Sequence, residues 1–491
     1  MELNKILSGL EGLKVRGSLE TKIKQVESDS RNIEKDSLFV AIRGFDTDGN
    51  DYIMSAIEKG AIAVMVQEGT DTKMLKQIPE DIVVIIAKDT RYALAICACN
   101  FYKNPSKKFK LIGITGTKGK TTTSYMIKEI LEKSGKKVGL IGTIATYIGD
   151  RKVEENSRTT PESIKLQKLF SDMQKAECDV VVMEVSSQSL KLNRVTGSDF
   201  DIGIFTNFSE DHISPKEHPD MQDYFNSKLK LFDMCSKGVI LNADDVYTVK
   251  AKRMINNEEI ITYGIDNGCD FLAKDITITN SYVDFKVRLQ DRNERVKTCI
   301  PGRFSIYNSL AAIAACTKIG CSVENIKEGL EEVRVPGRSE LVDNDKELTI
   351  MIDYAHSPES LERIIKAVKT YTRGRVIVVF GCGGDRDTSK RAIMGEISGR
   401  EADFTVITSD NPRTENPEKI VKQIEEGTKK TNGKYKCIVD RRNAIKYAIS
   451  MANKLDIIVL AGKGHETYQE INGTNNDFDE RKIIKEILNQ K

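Results

Sequence analysis

The residues that most clearly indicate chemistry form a glycine-rich turn between an apolar run and a helix start. Leu111 to Ile114 reads as a strand, and Gly116-Thr-Lys-Gly-Lys-Thr121 follows it. Backbone N–H groups in such a turn, together with the N-terminus of the next helix, bind anions. Lys120 would reach the outer phosphates of a nucleotide, and Thr121 would offer its hydroxyl to Mg²⁺. The strict nucleotide-loop pattern has glycine where Ile114 stands, so an ordinary glycine-rich turn is the alternative.

A carboxylate follows a second apolar run. Asp179-Val-Val-Val-Met-Glu184 predicts a strand with Glu184 at its carboxyl end, where open α/β sheets bind their ligands. That position suits a Mg²⁺ ligand facing Thr121, because Mg²⁺ prefers oxygen ligands. The alternative is a strand-end carboxylate paired with a surface lysine.

Histidine is used sparingly. The four histidines are His212, His218, His356 and His465, each in a short polar stretch. So few imidazoles favour a chemical role for some of them. For His218 alone, a solvated loop position is an equally good interpretation.

Three strand ends in the last part of the chain carry glycine-rich or charged segments, at 381–387, 410–413 and 462–466. We call these segments the C-terminal rim. Since parallel strands end at one edge of a sheet, their cationic and carboxylate groups are expected to converge there.

These segments need α/β scaffolds to position them. Strand and helix patterns alternate, which is typical of mostly parallel sheets. At a prior of ~150 residues per domain, the length of 491 residues predicts about three domains. We expect a small N-terminal α/β domain at 1–107, a central P-loop ATPase-like domain at 108–334 and a C-terminal Rossmann-like α/β domain at 335–491. Val335-Pro-Gly-Arg338 is the expected hinge, because Pro and Gly interrupt the preceding helix.

Composition limits the function classes. Charged residues make up 30% of the chain but nearly cancel at a net charge of +2, so nothing indicates nucleic-acid binding or a polybasic membrane anchor. No apolar run approaches the ~18 residues of a membrane span, and no signal-peptide pattern is present. We expect a cytoplasmic protein with small-molecule partners. The ten cysteines include no Cys-x-x-Cys pair, which favours reduced packing residues.

A longer series of motifs resembles the Mur ligase family, which builds the peptide stem of bacterial cell-wall precursors. The shortened Gly-Thr-x-Gly-Lys-Thr loop at 116–121 is similar to the family's ATP loop, and Asp211-His212 is similar to part of a later motif. The pattern from Tyr224 through Lys228 to Phe232 resembles the helix on which these enzymes carry a lysine modified by CO₂. The resemblance runs nearly end to end and in the family's order.

The resemblance implies ATP and Mg²⁺ as co-substrate and cofactor. The catalytic residues would be Lys120, Glu184, His212 and Lys228. The ATP-binding residues would be Gly116, Thr117, Lys118, Gly119, Lys120, Thr121, Thr122, Asn308, Arg338, Asp353 and His356. The metal ligands would be Thr121, Glu184, His212 and Lys228 as N6-carboxylysine. An ammonium would repel magnesium, whereas a lysine carbamate is an anionic oxygen ligand.

The resemblance also implies two further binding sites. The N-terminal domain would bind a uridine nucleotide, and the UDP-substrate residues would be Ser30, Thr159, Thr160, Ser186 and Arg194. The C-terminal rim resembles that of members using meso-diaminopimelate, with Arg386, Asp410, Asn411, Pro412, Arg413, Gly462 and Glu466 as its residues. Diaminopimelate differs from lysine by a second carboxylate, which Arg413 can bind bidentately while Glu466 holds the ammonium. Lysine would leave Arg413 unpaired, which can cost about 10⁴ in discrimination.

The implied activity is that of an ATP-dependent peptide ligase in peptidoglycan precursor synthesis. It would add meso-2,6-diaminopimelate to UDP-N-acetylmuramoyl-L-alanyl-D-glutamate through an acyl phosphate, as a monomer. The alternatives are a relative that adds L-lysine, or glutamate in the folate-polyglutamate branch, and a P-loop nucleotide switch without ligase chemistry. The switch would turn over ATP independently of any amino acid.

Overall fold

The computed structural model describes residues 1–156, 158–211, 213–214, 217–256 and 259–489. The predicted metal ligand His212 lies outside the described residues. The chain forms two compact units, Met1–Phe271 with Ala311–Ser322 and Leu272–Leu310 with Val323–Lys491. Among the described helices, none is long and apolar enough to cross a lipid bilayer.

The first unit begins with a five-stranded sheet in the order β1-β5-β4-β3-β2. Its elements are α1 Leu3–Ile6, β1 Lys14–Arg16, β2 Gln25–Glu27, β3 Ser37–Val40, α2 Ile53–Glu58, β4 Ala61–Gln67, α3 Thr72–Gln77, β5 Val83–Ala87 and α4 Thr90–Phe101. Strands β2 to β5 are parallel, and β1 is antiparallel to β5. Leu38 packs into one apolar core and its neighbour Phe39 into another, because successive side chains of a strand point to opposite faces.

The first unit continues with a nine-stranded sheet in the order β14-β13-β12-β11-β6-β10-β7-β8-β9. Its elements are β6 Lys110–Thr115, α5 Lys120–Lys133, β7 Val138–Ile141, β8 Ala145–Ile148, β9 Arg151–Glu155, α6 Ser163–Lys175, β10 Val180–Glu184, α7 Ser187–Lys191, β11 Phe200–Phe205, α8 Met221–Leu229, β12 Cys235–Asn242, α9 Thr248–Met254, β13 Ile260–Gly264 and β14 Phe271–Leu272. Strand β6 lies between β10 and β11, parallel to both, and β7 is parallel to β10. The carboxyl ends of these strands therefore share one edge, where ligands of open α/β sheets bind.

The second unit contains a six-stranded sheet in the order β18-β19-β23-β20-β21-β22, a three-stranded sheet β15-β16-β17 and a hairpin β24-β25. The elements from β15 onward are β15 Lys274–Ile278, β16 Val283–Leu289, β17 Arg292–Thr298, α10 Arg303–Ile319, α11 Val323–Glu332, β18 Glu340–Leu341, β19 Thr349–Asp353, α12 Pro358–Lys369, β20 Val376–Phe380, α13 Ser389–Glu401, β21 Phe404–Ile407, α14 Pro417–Thr428, β22 Tyr435–Cys437, α15 Arg441–Met451, β23 Ile457–Ala461, β24 Tyr468–Ile471, β25 Thr474–Asp477 and α16 Glu480–Asn489. The residues of α10 from Ala311 onward belong to the first unit. Strands β19 to β23 of the large sheet are parallel. β20 and β23 are buried along their whole length, as strands covered on both faces are.

The predicted α/β fold class with mostly parallel sheets is confirmed. The predicted boundaries at 107/108 and 334/335 stay predictions. All ten cysteines are free thiols; Cys97 and Cys316 are buried as predicted for packing residues, whereas Cys437 is exposed.

Candidate active site

The phosphate loop joins β6 to α5, and two glycines determine its shape. Gly116 has φ +141° and Gly119 has φ +87°, conformations that residues with side chains rarely adopt. A Cβ atom on Gly116 would lie 2.0 Å from the Thr206 Oγ1, so no larger residue fits. Helix α5 begins at Lys120 directly after the loop, with Thr121 and Thr122 buried in its first turn. First-turn N–H groups of a helix are the groups that bind phosphate.

Two residues that follow the neighbouring strand β11 hold this loop in place. Thr206 Oγ1 and Asn207 Nδ2 donate to the Lys118 carbonyl at 2.6 and 3.0 Å. Asn207 Oδ1 accepts from the Lys118 N–H at 2.9 Å. Neither Thr206 nor Asn207 is among the predicted site residues. A polar pair directly after a strand adjacent to β6 is the signal that would identify them.

Three lysine side chains converge on the loop. Lys120 Nζ donates to the carbonyls of Gly116 and Thr117 at 2.9 and 3.1 Å. Lys228 Nζ donates to the same Gly116 carbonyl at 2.9 Å. Lys118 Nζ is 3.0 Å from Asp211 Oδ2. The loop therefore concentrates positive charge where the backbone favours an anion.

Lys228 is the most deeply buried of these lysines. Its exposure is 1%, and its Nζ lies 4.4 Å from the centroid of the Tyr224 ring. Tyr224 in turn lies 3.2 Å from Thr117 Oγ1 through its hydroxyl. Burial, followed by the charge of Lys120, holds the pKa of Lys228 well below its usual range. Burial therefore disfavours the charged form of this side chain.

Glu184 lies at the end of β10, fully buried beside the loop. Its Oε2 accepts from the hydroxyls of Thr121 at 3.0 Å and of Thr143 at 2.9 Å. Its Oε1 accepts from the Thr143 N–H at 2.9 Å. Glu184 thus contacts Thr121, the residue that the sequence predicts it to face, and the hydrogen bonds of its carboxylate in the described part of the chain come from threonines. Thr143, which follows β7 on the other side of β10, was not predicted.

The oxygen atoms of this group fit a hard cation. Mg²⁺ in nucleotide sites uses one or two carboxylates together with waters and substrate phosphates, and Glu184 with Thr121 can form the protein part of such a site. Within the described ranges, no group of three or more His, Cys, Asp or Glu side chains could hold a metal ion by itself. Glu184 and Thr121 can therefore contribute oxygen ligands to a site that water and phosphate oxygens complete.

Most of the predicted UDP-substrate residues gather behind Glu184. Thr160 Oγ1 donates to the Glu184 carbonyl at 2.9 Å and accepts from the Ser186 N–H at 3.0 Å. Arg194 Nη2 is 3.0 Å from Glu162 Oε1, and burial lowers the pKa of Arg194. Its buried Nε has no hydrogen-bond partner among the described residues. An unsatisfied buried donor of this kind suits an anionic ligand.

The other two predicted UDP-substrate residues differ from each other. Thr159 joins the group, because its hydroxyl lies 3.1 Å from Thr143 Oγ1. Ser30 makes its contacts within the five-stranded sheet domain, where its carbonyl accepts from Lys59 Nζ at 2.9 Å.

His218 is buried, so the solvated interpretation is wrong. Its Nε2 lies 2.9 Å from Ser187 Oγ and its Nδ1 lies 2.6 Å from Asp223 Oδ2. Burial lowers the pKa of His218, against the effect of Asp223. The neutral ring can donate from Nδ1 to the carboxylate and accept at Nε2. His218 thereby ties the start of α7 to the first turn of α8, the helix that carries Lys228.

Three predicted ATP-binding residues lie close together in the second unit. Asp353 Oδ2, at the end of β19, accepts from the Ser339 N–H at 2.8 Å. The Arg338 guanidinium lies 4.8 Å from the centroid of the Tyr354 ring. His356 Nδ1 lies 2.8 Å from the Tyr354 carbonyl. Asn308, the fourth residue, is buried within α10.

The C-terminal rim converges as the sequence predicts. Asn411 Nδ2 donates to Glu466 Oε2 at 2.8 Å, and Asn411 Oδ1 accepts from Lys463 Nζ at 3.0 Å. A Cβ atom on Gly462 would lie 2.6 Å from Asp410 Oδ2, so Gly462 is needed for close approach. Burial raises the pKa of Glu466, although Lys463 opposes this. Segments 410–413 and 462–466 thus form one polar site.

Arg413 is fixed at the same rim. Its Nη1 donates to the Gly384 carbonyl at 2.6 Å, and its Nε donates to Glu470 Oε2 at 3.0 Å. A Cβ atom on Gly384 would lie 1.9 Å from the Pro412 carbonyl oxygen, which brings segment 381–387 against Pro412. Arg386 is exposed on this segment.

Two buried arginines that were not predicted support the rim from behind. Arg391 Nη2 is 2.7 Å from Glu415 Oε1, and this hydrogen bond lowers the pKa of Glu415 to about 2. Arg441 and Glu480 are fully buried, with Nε and Oε1 2.8 Å apart. Arg441 also donates to the carbonyls that precede Asp410 and Gly462, those of Ser409 at 3.3 Å and Ala461 at 3.0 Å. We refer to these two ion pairs as the arginine clasps.

The chain matches three consecutive family descriptions. Residues 22–102 match "Mur ligase family, catalytic domain", residues 114–316 match "Mur ligase middle domain" and residues 337–464 match "Mur ligase, glutamate ligase domain". The three matches fall in the order of the three predicted α/β domains.

Two full-length relatives carry the same name. A protein of Caldanaerobacter subterraneus subsp. tengcongensis named UDP-N-acetylmuramoyl-L-alanyl-D-glutamate--2,6-diaminopimelate ligase is 48% identical over 490 residues, covering 99% of both chains. A Clostridioides difficile protein of the same name is 45% identical over 493 residues, covering 100% of both. A solved structure titled with this name has a TM-score of 0.72 at 27% identity, covering 99% of this chain and 98% of its own. The chain therefore belongs to the Mur ligase family.

Proposed function

We propose that this chain is an ATP-dependent ligase that adds meso-2,6-diaminopimelate to UDP-N-acetylmuramoyl-L-alanyl-D-glutamate in peptidoglycan precursor synthesis. The observation that carries the proposal is the C-terminal rim, where Asn411 contacts Glu466 and Arg413 is fixed by Gly384. An arginine beside a carboxylate matches the zwitterionic second centre of diaminopimelate. The names of the full-length relatives point to the same substrates.

The first chemical step consumes ATP. The terminal carboxylate of the nucleotide substrate attacks the γ-phosphate, the bond to the β-phosphate breaks, and an acyl phosphate and ADP result. Negative charge develops on the transferring group, and catalysis of such a transfer is mostly positioning and electrostatic stabilisation. Lys120 and the first-turn N–H groups of α5 can supply both, because Lys120 already lies on the loop at 2.9 Å from the Gly116 carbonyl.

The oxygen ligands near the loop would hold Mg²⁺. When bound, this ion neutralises charge between the phosphates. We assign its protein ligands to Thr121, Glu184, His212 and Lys228, the last as a carbamate.

The environment of Lys228 supports the carbamate. A neutral amine attacks CO₂ to form an N–C bond, and one proton is released as the anionic carbamate forms. Burial and the nearby Lys120 favour the neutral amine. The resulting anion would relieve the concentration of positive charge around Gly116.

The second step forms the amide. The amine of diaminopimelate displaces phosphate from the acyl phosphate, and the amine proton is released. Arg413 would bind the distal carboxylate, and Glu466 with Asp410 would hold the distal ammonium. We place the pivot that lets the amine reach the acyl phosphate at 335–338, where Gly337 has φ +66°.

The remaining assignments are also proposals. Thr159, Thr160, Ser186 and Arg194 would bind the peptide part of the nucleotide substrate, and Ser30 its uridine end. Asn308, Arg338, Asp353 and His356 would bind ATP, and Arg386 would contact diaminopimelate from the rim. We propose that the enzyme acts in the cytoplasm as a monomer with domains at 1–107, 108–334 and 335–491.

Phosphate release tests this function. Purified protein is given ATP, Mg²⁺ and the UDP-N-acetylmuramoyl dipeptide, with meso-diaminopimelate, with L-lysine or with no amino acid. We expect release only with diaminopimelate. A preference for lysine would retain a ligase but overturn the role of Arg413, and release without any amino acid would favour a nucleotide switch.

A further inference from the structure

We propose that Glu470 is a positioning residue that determines which edge of the Arg413 guanidinium faces the amino-acid substrate. The carboxylate of Glu470 holds one side of the group, so that the opposite edge can take the distal carboxylate of diaminopimelate. This inference rests on the proposed function and makes it more specific: Glu470 would contribute to the preference for diaminopimelate over lysine.

The hydrogen bonds of Arg413 define the edge. Its Nε donates to Glu470 Oε2 at 3.0 Å, and its Nη1 donates to the Gly384 carbonyl at 2.6 Å. A guanidinium is planar and carries its N–H donors in a fixed fork. With Nε occupied and one Nη1 hydrogen used, the end formed by Nη1 and Nη2 can still bind a carboxylate through two parallel hydrogen bonds. Without Glu470, the fork could rotate about the terminal side-chain bonds.

The backbone supports the same arrangement. The Arg413 N–H donates to the Glu470 carbonyl at 3.0 Å, and the Asn472 N–H donates to the Arg413 carbonyl at 2.7 Å. Arg413 itself has φ +52°, an uncommon conformation that needs such support. The backbone N–H of Glu470 donates to Asn411 Oδ1 at 3.0 Å. Strand β24 is thus joined to both Asn411 and Arg413.

A competing interpretation is that Glu470 acts on substrate binding mainly through its negative charge. The Glu470 carboxylate lowers the net positive charge at Arg413 and could compete with the substrate carboxylate for it. The geometry favours positioning, because Glu470 takes the Nε side and leaves the other edge. The Arg413 and Glu470 side chains are only 22% and 30% exposed, so the pair is better shielded than an ordinary surface ion pair.

Two substitutions separate these interpretations. Glu470→Ala removes the acceptor and the charge, whereas Glu470→Gln removes the charge but keeps an oxygen that can accept from Nε. Positioning predicts that Glu470→Ala raises the KM for diaminopimelate about tenfold and lowers the kcat/KM ratio of diaminopimelate to lysine by a similar factor, about 1.4 kcal/mol. Glu470→Gln should retain most of the wild-type preference. The KM values for ATP and for the nucleotide substrate should not change.

Glu486→Ala is a matched control, because Glu486, on α16 of the same unit, forms an exposed ion pair with Arg442 of α15. It should leave all kinetic parameters unchanged. A second measurement tests whether Glu470 acts through Arg413: in an Arg413→Ala background, Glu470→Ala should have no further effect on the ratio. This double-mutant comparison holds even if Glu470→Ala weakens the hairpin.

Failure of the proposed function and failure of the Glu470 inference give different results. If wild-type protein prefers lysine or needs no amino acid, the proposed function fails. If wild-type protein requires diaminopimelate but Glu470→Ala leaves the ratio unchanged, this inference fails alone. A lower KM for diaminopimelate in both variants would show competition and overturn positioning.

Discussion

The phosphate loop and the C-terminal rim both lie at the carboxyl ends of parallel strands, yet they are stabilised differently. The loop depends on backbone conformation: Gly116 and Gly119 adopt positive φ, and Lys118 is held through its backbone N–H and carbonyl. The rim depends on buried side chains, above all the arginine clasps. The conformation of the loop is therefore determined by a few adjacent residues, whereas the rim is stabilised by residues that lie far apart in the sequence.

The loop and the rim should therefore respond differently to substitutions. In the loop, a change as small as one methyl group at Gly116 collides with the Thr206 side chain that holds the loop. At the rim, a substitution behind the site should first affect stability and the binding of one substrate. The following changes test that contrast.

The largest effect is expected for Gly116→Ala. The new Cβ would lie 2.0 Å from Thr206 Oγ1, at φ +141°, so the loop must shift. Turnover should fall about 10³-fold or more, since the loop supplies the charge stabilisation in the proposed phosphoryl transfer. Nucleotide titration should show weakened ATP binding.

Gly135→Ala is the matched control. Gly135 follows the other end of α5 at φ +76°, with nothing within 4 Å of an added Cβ. It should cost about 1–2 kcal/mol of stability from the left-handed conformation and leave ATP binding intact. Equal kinetic losses in both variants would contradict a local role for the Gly116 contact.

The second change is Lys228→Ala, which removes the proposed carbamate from the loop. Activity should fall about 10²–10³-fold, because an anionic group beside the phosphates is lost. Added acetate should restore part of the activity by supplying a carboxylate in the space left by the side chain. Isotope-labelled bicarbonate should give a carbamate signal in the wild-type protein and none in the variant.

Lys230→Ala provides the comparison, since Lys230 is exposed just beyond the last residue of the same helix. It should be fully active. Full activity of Lys228→Ala itself would remove the carbamate from the mechanism.

The contrast between the two sites also explains what the sequence could predict. Apolar runs that end at glycine or acidic residues predict the parallel strands and the edge at which they end. Alternation at 283–289 predicts a half-buried strand, and the structure has β16 at Val283–Leu289 with inward and outward residues alternating. The helix start expected after the glycine-rich turn is found at Lys120, because the left-handed Gly119 permits a sharp entry.

The same contrast decides which site residues could be predicted from the sequence. Glu184 and Thr121 were predictable as neighbours, since Glu184 ends β10 and Thr121 follows the glycine-rich turn after the adjacent strand β6. Thr143, Arg441 and Glu470 were not, because a threonine after a strand, an arginine at a helix start and a glutamate in a hairpin are common on protein surfaces. Only tertiary contacts give them a role, such as the Arg441 bonds to Ser409 and Ala461. His218 is the opposite case. Its polar sequence neighbours suggest that it is exposed to solvent, but the fold buries it.

The third change tests whether the clasp at Arg441 serves stability or substrate binding. Arg441→Met leaves the fully buried Glu480 without its cation and should cost about 3–5 kcal/mol of unfolding free energy. Adding Glu480→Leu should recover most of that loss, because two apolar side chains can replace a buried ion pair. The double variant should still show a raised KM for diaminopimelate, since the carbonyls before Asp410 and Gly462 lose their donor.

Urea unfolding and steady-state kinetics together show whether the Arg441 clasp serves stability, substrate binding or both. A double variant with normal KM values would mean that the clasp acts on stability alone. An unchanged KM for ATP in both variants is the expected internal control.

The smallest effect is expected for Glu415→Gln at the other clasp. Arg391 lowers the pKa of Glu415 to about 2 from the usual 4.5, so the ionised carboxylate stabilises the folded protein above pH 4.5. That contribution should be lost as the pH falls from about 4.5 through about 2. At neutral pH the variant should unfold a few degrees below wild type, a modest change because Glu415 is 24% exposed and solvent screens the pair.

Thermal unfolding at a series of pH values tests whether the stabilisation by Glu415 is lost as the pH falls. The difference between wild type and Glu415→Gln should shrink steadily below pH 4.5 and disappear near pH 2, the pKa of the clasp carboxylate. Glu347→Gln is the control, because Glu347 pairs with Lys454 at the surface and its loss should change little at any pH. A difference that stays constant with pH would mean that Glu415 acts through shape and hydrogen bonding rather than through its charge, and the two clasps would then differ as much from each other as the rim does from the loop.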